Sequence, residues 1–137
     1  MATEDNVKLV KSAMEAFLTG NPSLLLASMA EDVVTEAAIP EGTPISGRFR
    51  GPNGFLQYFQ AVGEVMEVLG LEDIDYAGSA DKVVVTGFEK ARVRRTDKVF
   101  ETETATIFTL RGGKITRVVA LADMSAIVDA YRADAAR

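Results

Sequence analysis

Near Val65 the spacing of apolar residues changes from three and four to two, and it stays at two until about Met124. A chain that supplies helices first and then a series of period-two segments can bury each helical stripe only against one face of a sheet, which is an α+β layout. Before the change, Val7, Val10, Ala13, Met14, Phe17 and Leu18 form the stripe of a helix over residues 4–19, stopped at Gly20. Asn21-Pro22-Ser23 offers a cap and a first-turn proline, so a second short helix is predicted through Leu24, Leu25, Leu26 and Met29, ending near Asp32. Residues 33–37 are β-prone, and Pro40-Glu41-Gly42-Thr43-Pro44 fits neither regular structure and reads as a loop. A third helix follows Gly51-Pro52-Asn53-Gly54, with Phe55, Tyr58, Phe59 and Val62 on one face and an end near Gly63.

Beyond Val65, Ser79-Ala80-Asp81-Lys82 and Thr96-Asp97-Lys98 read as hairpin turns. Arg111-Gly112-Gly113-Lys114 is the clearest turn, because paired glycines accept the positive φ that a two-residue hairpin needs. Residues 124–135 are predicted to form a closing helix with Ile127, Ala130 and Tyr131 inward. No repeat, linker or low-complexity stretch interrupts the 137 residues, so a single domain over 1–137 is expected, with helices on one face of a curved sheet.

Composition narrows the chemistry. With no cysteine and no histidine, disulfides, thiolate nucleophiles and the usual zinc and haem ligand sets are excluded. No carboxylate cluster suggests another metal, so neither metal nor cofactor is expected. A net charge of −5 lacks the basic footprint of a nucleic-acid binder. No apolar run approaches the ~20 residues that span a bilayer, and MATEDNVKLV carries acids where a signal peptide carries positive charge. The expectation is a cytoplasmic protein whose partners are small ligands or proteins, with no nucleic acid or membrane involved.

The order of elements, with "AEDVVTEAAIPEGTPISGRFRGPNGFLQYF" early and "TETATIFTLRGGKITRVVALAD" late, resembles the nuclear transport factor 2-like superfamily. More narrowly it is similar to the SnoaL-like branch, relatives of polyketide cyclases, ketosteroid isomerases and limonene-epoxide hydrolases. The resemblance implies a cone: a curved mixed or antiparallel sheet, three N-terminal helices on its concave face, a short C-terminal helix and an enclosed apolar pocket. It also implies a homodimer formed through the outer sheet face. The double-bond isomerase of this family uses an aspartate base, a tyrosine and a neutral carboxylic acid. Laid on this chain without gaps, those positions fall on Ala37, Ala13 and near Thr106, so ketosteroid isomerase chemistry is disfavoured. Glu36, one step along the strand from Ala37, points to the opposite face and does not substitute.

Strand register supplies a candidate site. A two-residue turn between Arg111 and Lys114 places Asp123 opposite Thr102 and Leu121 opposite Thr104; centring the preceding turn on Asp97 pairs Thr102 with Arg92, Thr104 with Lys90 and Thr106 with Phe88. One face then carries Asp123, Leu121, Val119, Thr102, Thr104, Thr106, Phe108, Arg92, Lys90 and Phe88, while Glu89, Ala91, Glu101 and Glu103 look the other way. With Phe55, Tyr58 and Phe59 from the third helix, this set reads as a ligand pocket: an apolar wall with a few polar groups. In SnoaL-like cyclases and epoxide hydrolases an acid closing the last strand transfers the proton, and Asp123 matches that position. Arg92 is then the second catalytic candidate, holding the acid ionised or stabilising an oxyanion.

Plainer readings stand beside these. Asp123 precedes Met124-Ser125-Ala126, and aspartate is a good helix cap. Arg92 and Lys90 face solvent, or meet Glu101 and Glu103, if a bulge flips the strand. Two functions follow: a cofactor-independent cyclase, isomerase or hydrolase acting through Asp123 on a small apolar substrate, or a non-catalytic hydrophobic-ligand-binding or dimerisation module.

Overall fold

Apolar periodicity is realised element by element: α1 (Thr3–Leu18), α2 (Ser23–Ala27), β1 (Met29–Ala37), β2 (Arg48–Arg50), α3 (Gly51–Val65), β3 (Met66–Gly78), β4 (Lys82–Val93), β5 (Val99–Arg111), β6 (Lys114–Ala122) and α4 (Ser125–Ala135). The structure is a computed structural model and describes residues 3–135. The six strands make one curved, open sheet in the order β2-β1-β6-β5-β4-β3. Only β1 and β6 run parallel; the other neighbours are antiparallel, so the sheet is mixed. Helices α1 and α3 lie across one face, and α4 reaches β4.

Two buried clusters fill the space beneath the helices. Val10, Ala13, Leu25, Val33, Phe55, Val83 and Phe108 form one. Ile45, Tyr58, Ala61, Val65, Ala91, Val93, Ile127 and Ala130 form the other. Phe55 is fully buried in the first, where truncation to alanine costs about 3–5 kcal/mol.

Local signals set most boundaries. Gly20 ends α1 with φ of 97°, and the Thr19 hydroxyl donates to the Ala16 carbonyl. The second helix is shorter than the sequence suggested, stopping at Ala27, and Met29, Glu31 and Asp32 already belong to β1. Long-range pairing explains this: the Ile115 N–H donates to the Ser28 carbonyl at 2.8 Å, and Met29 is registered against Ile115. Arg48 to Arg50, beside the predicted loop, form a short edge strand against β1, and Glu36 there pairs with both Arg48 and Arg117.

Both hairpin registers differ from expectation. At the β5–β6 turn Arg111 pairs with Lys114 and Leu110 with Ile115 as predicted, but a bulge between Thr109 and Leu110 then shifts the ladder by one. Leu121 therefore lies opposite Ala105 and Val119 opposite Ile107, both on the outer face, while Val118, Ala120 and Ala122 turn inward. The β4–β5 turn is longer than a loop centred on Asp97. The Val93 N–H donates to the Lys98 carbonyl, Asp97 takes φ of 58° within the loop, and Arg92 pairs with Val99. The resulting offset is odd, so β4 exchanges faces: Phe88, Lys90 and Arg92 point outward, and Glu89 points inward with the buried Val83, Val85, Ala91 and Val93. The faces of β5 are as predicted, with Thr102, Thr104, Thr106 and Phe108 inward.

Candidate functional site

Between α1, α3 and the inner sheet face lies a cavity of about 160 Å³. Met14, Phe17 and Leu18 contribute from α1, and Phe55, Tyr58, Phe59 and Val62 from α3. The sheet supplies Val85, Gly87 and Glu89 from β4, Thr104, Thr106 and Phe108 from β5, and Val118 and Ala120 from β6. Leu71 and Ile74 of β3 and Met124 before α4 add to the wall. Helical spacing of three and four brings the aromatic rings together. Phe17 packs on Phe55 and Phe59 with centroids 5.6 and 4.8 Å apart, and Tyr58 meets Phe49 and Phe59 edge-on at 5.5 and 5.4 Å.

Glu89 is the one charged residue on this wall among those described. Burial raises its pKa above the usual glutamate range, because an apolar surround penalises the carboxylate. Tyr58 is buried, and its phenol is pushed up to about 12, first by burial and then by the charge of Glu89. Tyr58 is consequently a neutral O–H donor throughout the physiological range. Among the described residues neither side chain has a hydrogen-bond or ion-pair partner. Two polar groups therefore share an apolar cavity with their bonding capacity unspent, the condition under which a bound polar atom gains most. The hydroxyls of Thr104 and Thr106 add donors and acceptors on the floor.

The sequence-derived candidates divide. Phe55, Tyr58, Phe59, Phe108, Thr104 and Thr106 line the cavity; Leu121, outward by register, lines its rim and also an outer recess with Phe88. Thr102 is buried on the inner face but lies off the cavity wall. Val119, Phe88, Lys90 and Arg92 stand on the outer face and form no part of it. Arg92 donates to Glu67 at 2.6 Å, a half-exposed pair of the sort that contributes ~0–1 kcal/mol.

Asp123 and Thr102 do meet, but through the backbone: the Asp123 N–H donates to Thr102 Oγ1 at 2.9 Å. The Asp123 carboxylate is exposed, and its Oδ1 accepts from the Ser125 hydroxyl at 2.7 Å and the Ser125 N–H at 3.0 Å. Those bonds hold its pKa below the usual aspartate value, the hydroxyl contributing most. Its observed work is to close the turn into α4, and the expected pairing of Asp123 with Arg92 across one wall is absent.

Glu89 is the group that sequence reasoning turned the wrong way. The signal was present in "VVVTGFEKARV": Val83, Val85, Ala91 and Val93 alternate with Thr86, Lys90 and Arg92, so the odd positions make the more apolar face. No group of three or more metal-ligating side chains exists among the described residues, and no helix of the structure is long and apolar enough to cross a membrane.

The family model for the SnoaL-like domain matches residues 10–118. A nuclear transport factor 2-like protein of Burkholderia xenovorans is 30% identical, superposes with a TM-score of 0.80 and is covered over 98% of its length by 96% of this chain. A candidate polyketide cyclase of Xanthomonas campestris is 22% identical, with a TM-score of 0.71 and coverage of 93% of this chain and 98% of that one. TerC, solved with polyporic acid, is 21% identical over the same shares with a TM-score of 0.71. These last two likenesses show the fold. No curated protein matches the chain significantly.

Proposed function

The chain belongs to the SnoaL-like domain family of the nuclear transport factor 2-like superfamily, and on that premise we propose that its cavity binds a small, largely apolar molecule on which Glu89 moves a proton. The observation carrying this reading is the unpartnered, desolvated Glu89 carboxylate on an otherwise uncharged wall beside Tyr58. A carboxylate with a raised pKa is a stronger base than an ordinary one and returns a proton more readily near neutral pH. In the reaction class this suits, the carboxylate removes a proton from a carbon next to a carbonyl. The Tyr58 O–H donates to the carbonyl oxygen as negative charge develops there. The Glu89 carboxylic acid then returns the proton to a different carbon, an isomerisation, or the enolate carbon attacks a second carbonyl in the same molecule, whose C=O π bond opens to an alkoxide that takes the proton from Glu89, a ring closure. The Asp123 carboxylate, spent on Ser125 at the turn into α4, has no part in this scheme.

The test is hydrogen–deuterium exchange at the α-carbons of 2-tetralone in D2O, followed by NMR. Wild-type protein accelerates the exchange, and Glu89→Gln loses about 10²- to 10⁴-fold of that acceleration. No acceleration over buffer by the wild type overturns the catalytic claim. Binding of ketone without exchange supports the second reading, a hydrophobic-ligand carrier.

A second copy of the chain is proposed to cover the outer sheet face. Val84, Phe88, Ala105, Ile107, Val119 and Leu121 form an apolar band there. Lys90 and its ladder neighbour Glu101, with Glu103 opposite Phe88, stand at one end of this band and have no ion-pair partner among the described residues. A two-fold axis presents the same patch to itself, so both signs of charge on one rim suit a self-complementary contact.

A further inference from the structure

Glycine inside a regular element has to be accounted for, since a side chain there favours the folded state. A Cβ on Gly54 would fall 2.8 Å from the Phe49 carbonyl carbon, and one on Gly78 would fall 2.5 Å from Val7 Cγ2, so packing demands glycine at both. Gly87 has neither excuse. Its φ is not positive, and a Cβ there would meet the Glu72 carbonyl oxygen and Thr104 Oγ1 at 3.4 Å and Leu71 Cδ1 at 3.6 Å, ordinary van der Waals contact. What the missing side chain leaves is a methyl-sized gap in the cavity wall. Gly87 alternates with Val85 and Glu89, so it faces the cavity, two residues from the carboxylate and directly across the ladder from Thr104.

The geometry points to Gly87 as the residue that sets the size limit of the cavity beside Glu89, leaving space for a second ring of a ligand whose oxygen lies at Glu89 and Tyr58. The inference rests on the reading of the cavity as a binding site. A methyl at Gly87 would project between Leu71 and Thr104, filling that space without disturbing the strand. A well-packed pocket resists an added methyl strongly, whereas a one-ring ligand that does not reach it is unaffected.

Phenol and 2-naphthol serve as one-ring and two-ring probes, titrated calorimetrically into wild type, Gly87→Ala, Leu71→Ala and the double variant. Gly87→Ala is expected to melt no lower than wild type, to bind 2-naphthol about tenfold more weakly and to change phenol binding less than about threefold. Adding Leu71→Ala, which removes the side chain nearest the new methyl on the β3 side, recovers most of the lost 2-naphthol affinity. Leu71→Ala alone, at a partly exposed position that spares the core, strengthens binding of the larger 2-anthrol. Unchanged 2-naphthol binding in Gly87→Ala, equal loss of both probes, or no gain for 2-anthrol in Leu71→Ala overturns the size limit. If wild type binds neither phenol nor 2-naphthol, the binding-site reading itself falls, an outcome distinct from those three.

Discussion

Tyr58 on α3 and Glu89 on β4 lie on opposing walls of one cavity, and the charge of the carboxylate adds to burial in keeping the phenol protonated. Burial disfavours negative charge on both groups, the Glu89 charge adds to that at Tyr58, and neither is relieved by a protein partner among the described residues. Such an arrangement works against the fold and is retained where a bound molecule uses it.

The cost is measurable as a pH dependence of stability. The folded pKa of Glu89 lies above its ordinary value of 4.5, so its ionisation opposes folding. The stability linked to its neutral form is complete below pH 4.5 and is lost as pH rises through the folded pKa. Glu89→Gln, which cannot ionise, therefore melts higher than wild type at neutral pH, and the difference closes as pH falls to about 4. Paired thermal melts across that range check it; a Glu89→Gln variant less stable than wild type at pH 7 contradicts the placement of the carboxylate.

Tyr58→Phe removes a hydroxyl that has no protein partner but keeps the ring edges against Phe49 and Phe59. Stability should change by no more than about 0.5 kcal/mol, because no buried donor or acceptor is orphaned. The α-carbon exchange rate of 2-tetralone should fall about a hundredfold, the scale on which one lost donor to a developing oxyanion acts. Calorimetry and the exchange assay together separate the two effects.

Asp123→Ala deletes the acceptor for the Ser125 N–H and hydroxyl and loosens the start of α4. A lower melting temperature is expected, with 2-naphthol affinity changed less than about twofold. Because hydrogen bonds hold the folded pKa of Asp123 below its ordinary 3.8, its stabilisation is present above pH 3.8 and is lost as pH falls through the folded value. Arg92→Ala breaks only the half-exposed pair with Glu67 and should leave probe binding and exchange intact. Loss of exchange in both variants with the fold preserved would return the chemistry to the Asp123–Arg92 pair.

Val119→Glu places a charge in the middle of the outer apolar band and should convert a dimer to a monomer in sedimentation velocity. A monomeric wild type would remove the second copy from the account.

Helices and turns were legible because their signals are local. The stripe from Val7 to Leu18 and the paired glycines at 112 and 113 need no knowledge of the rest of the chain. The faces of the strands were not, because side-chain direction on a strand depends on parity, and one extra residue reverses it. The bulge beyond Leu110 moved Val119 and Leu121 outward, and a longer loop around Asp97 did the same to Phe88, Lys90 and Arg92. Tyr58, Phe55 and Phe59 were placed well because α3 carries them on one continuous stripe. The shorter second helix was hidden for a different reason, since Met29 is held by Ile115, far along the chain.

The central claim is that Glu89 is a desolvated acid inside a ligand cavity. Its side-chain carboxyl carbon can be followed by 13C NMR through a pH titration, with and without 2-naphthol. The account predicts a midpoint above that of an ordinary glutamate and a displacement of both this resonance and that of Tyr58 when the probe binds. A midpoint at the ordinary value, unmoved by saturating 2-naphthol, would contradict it.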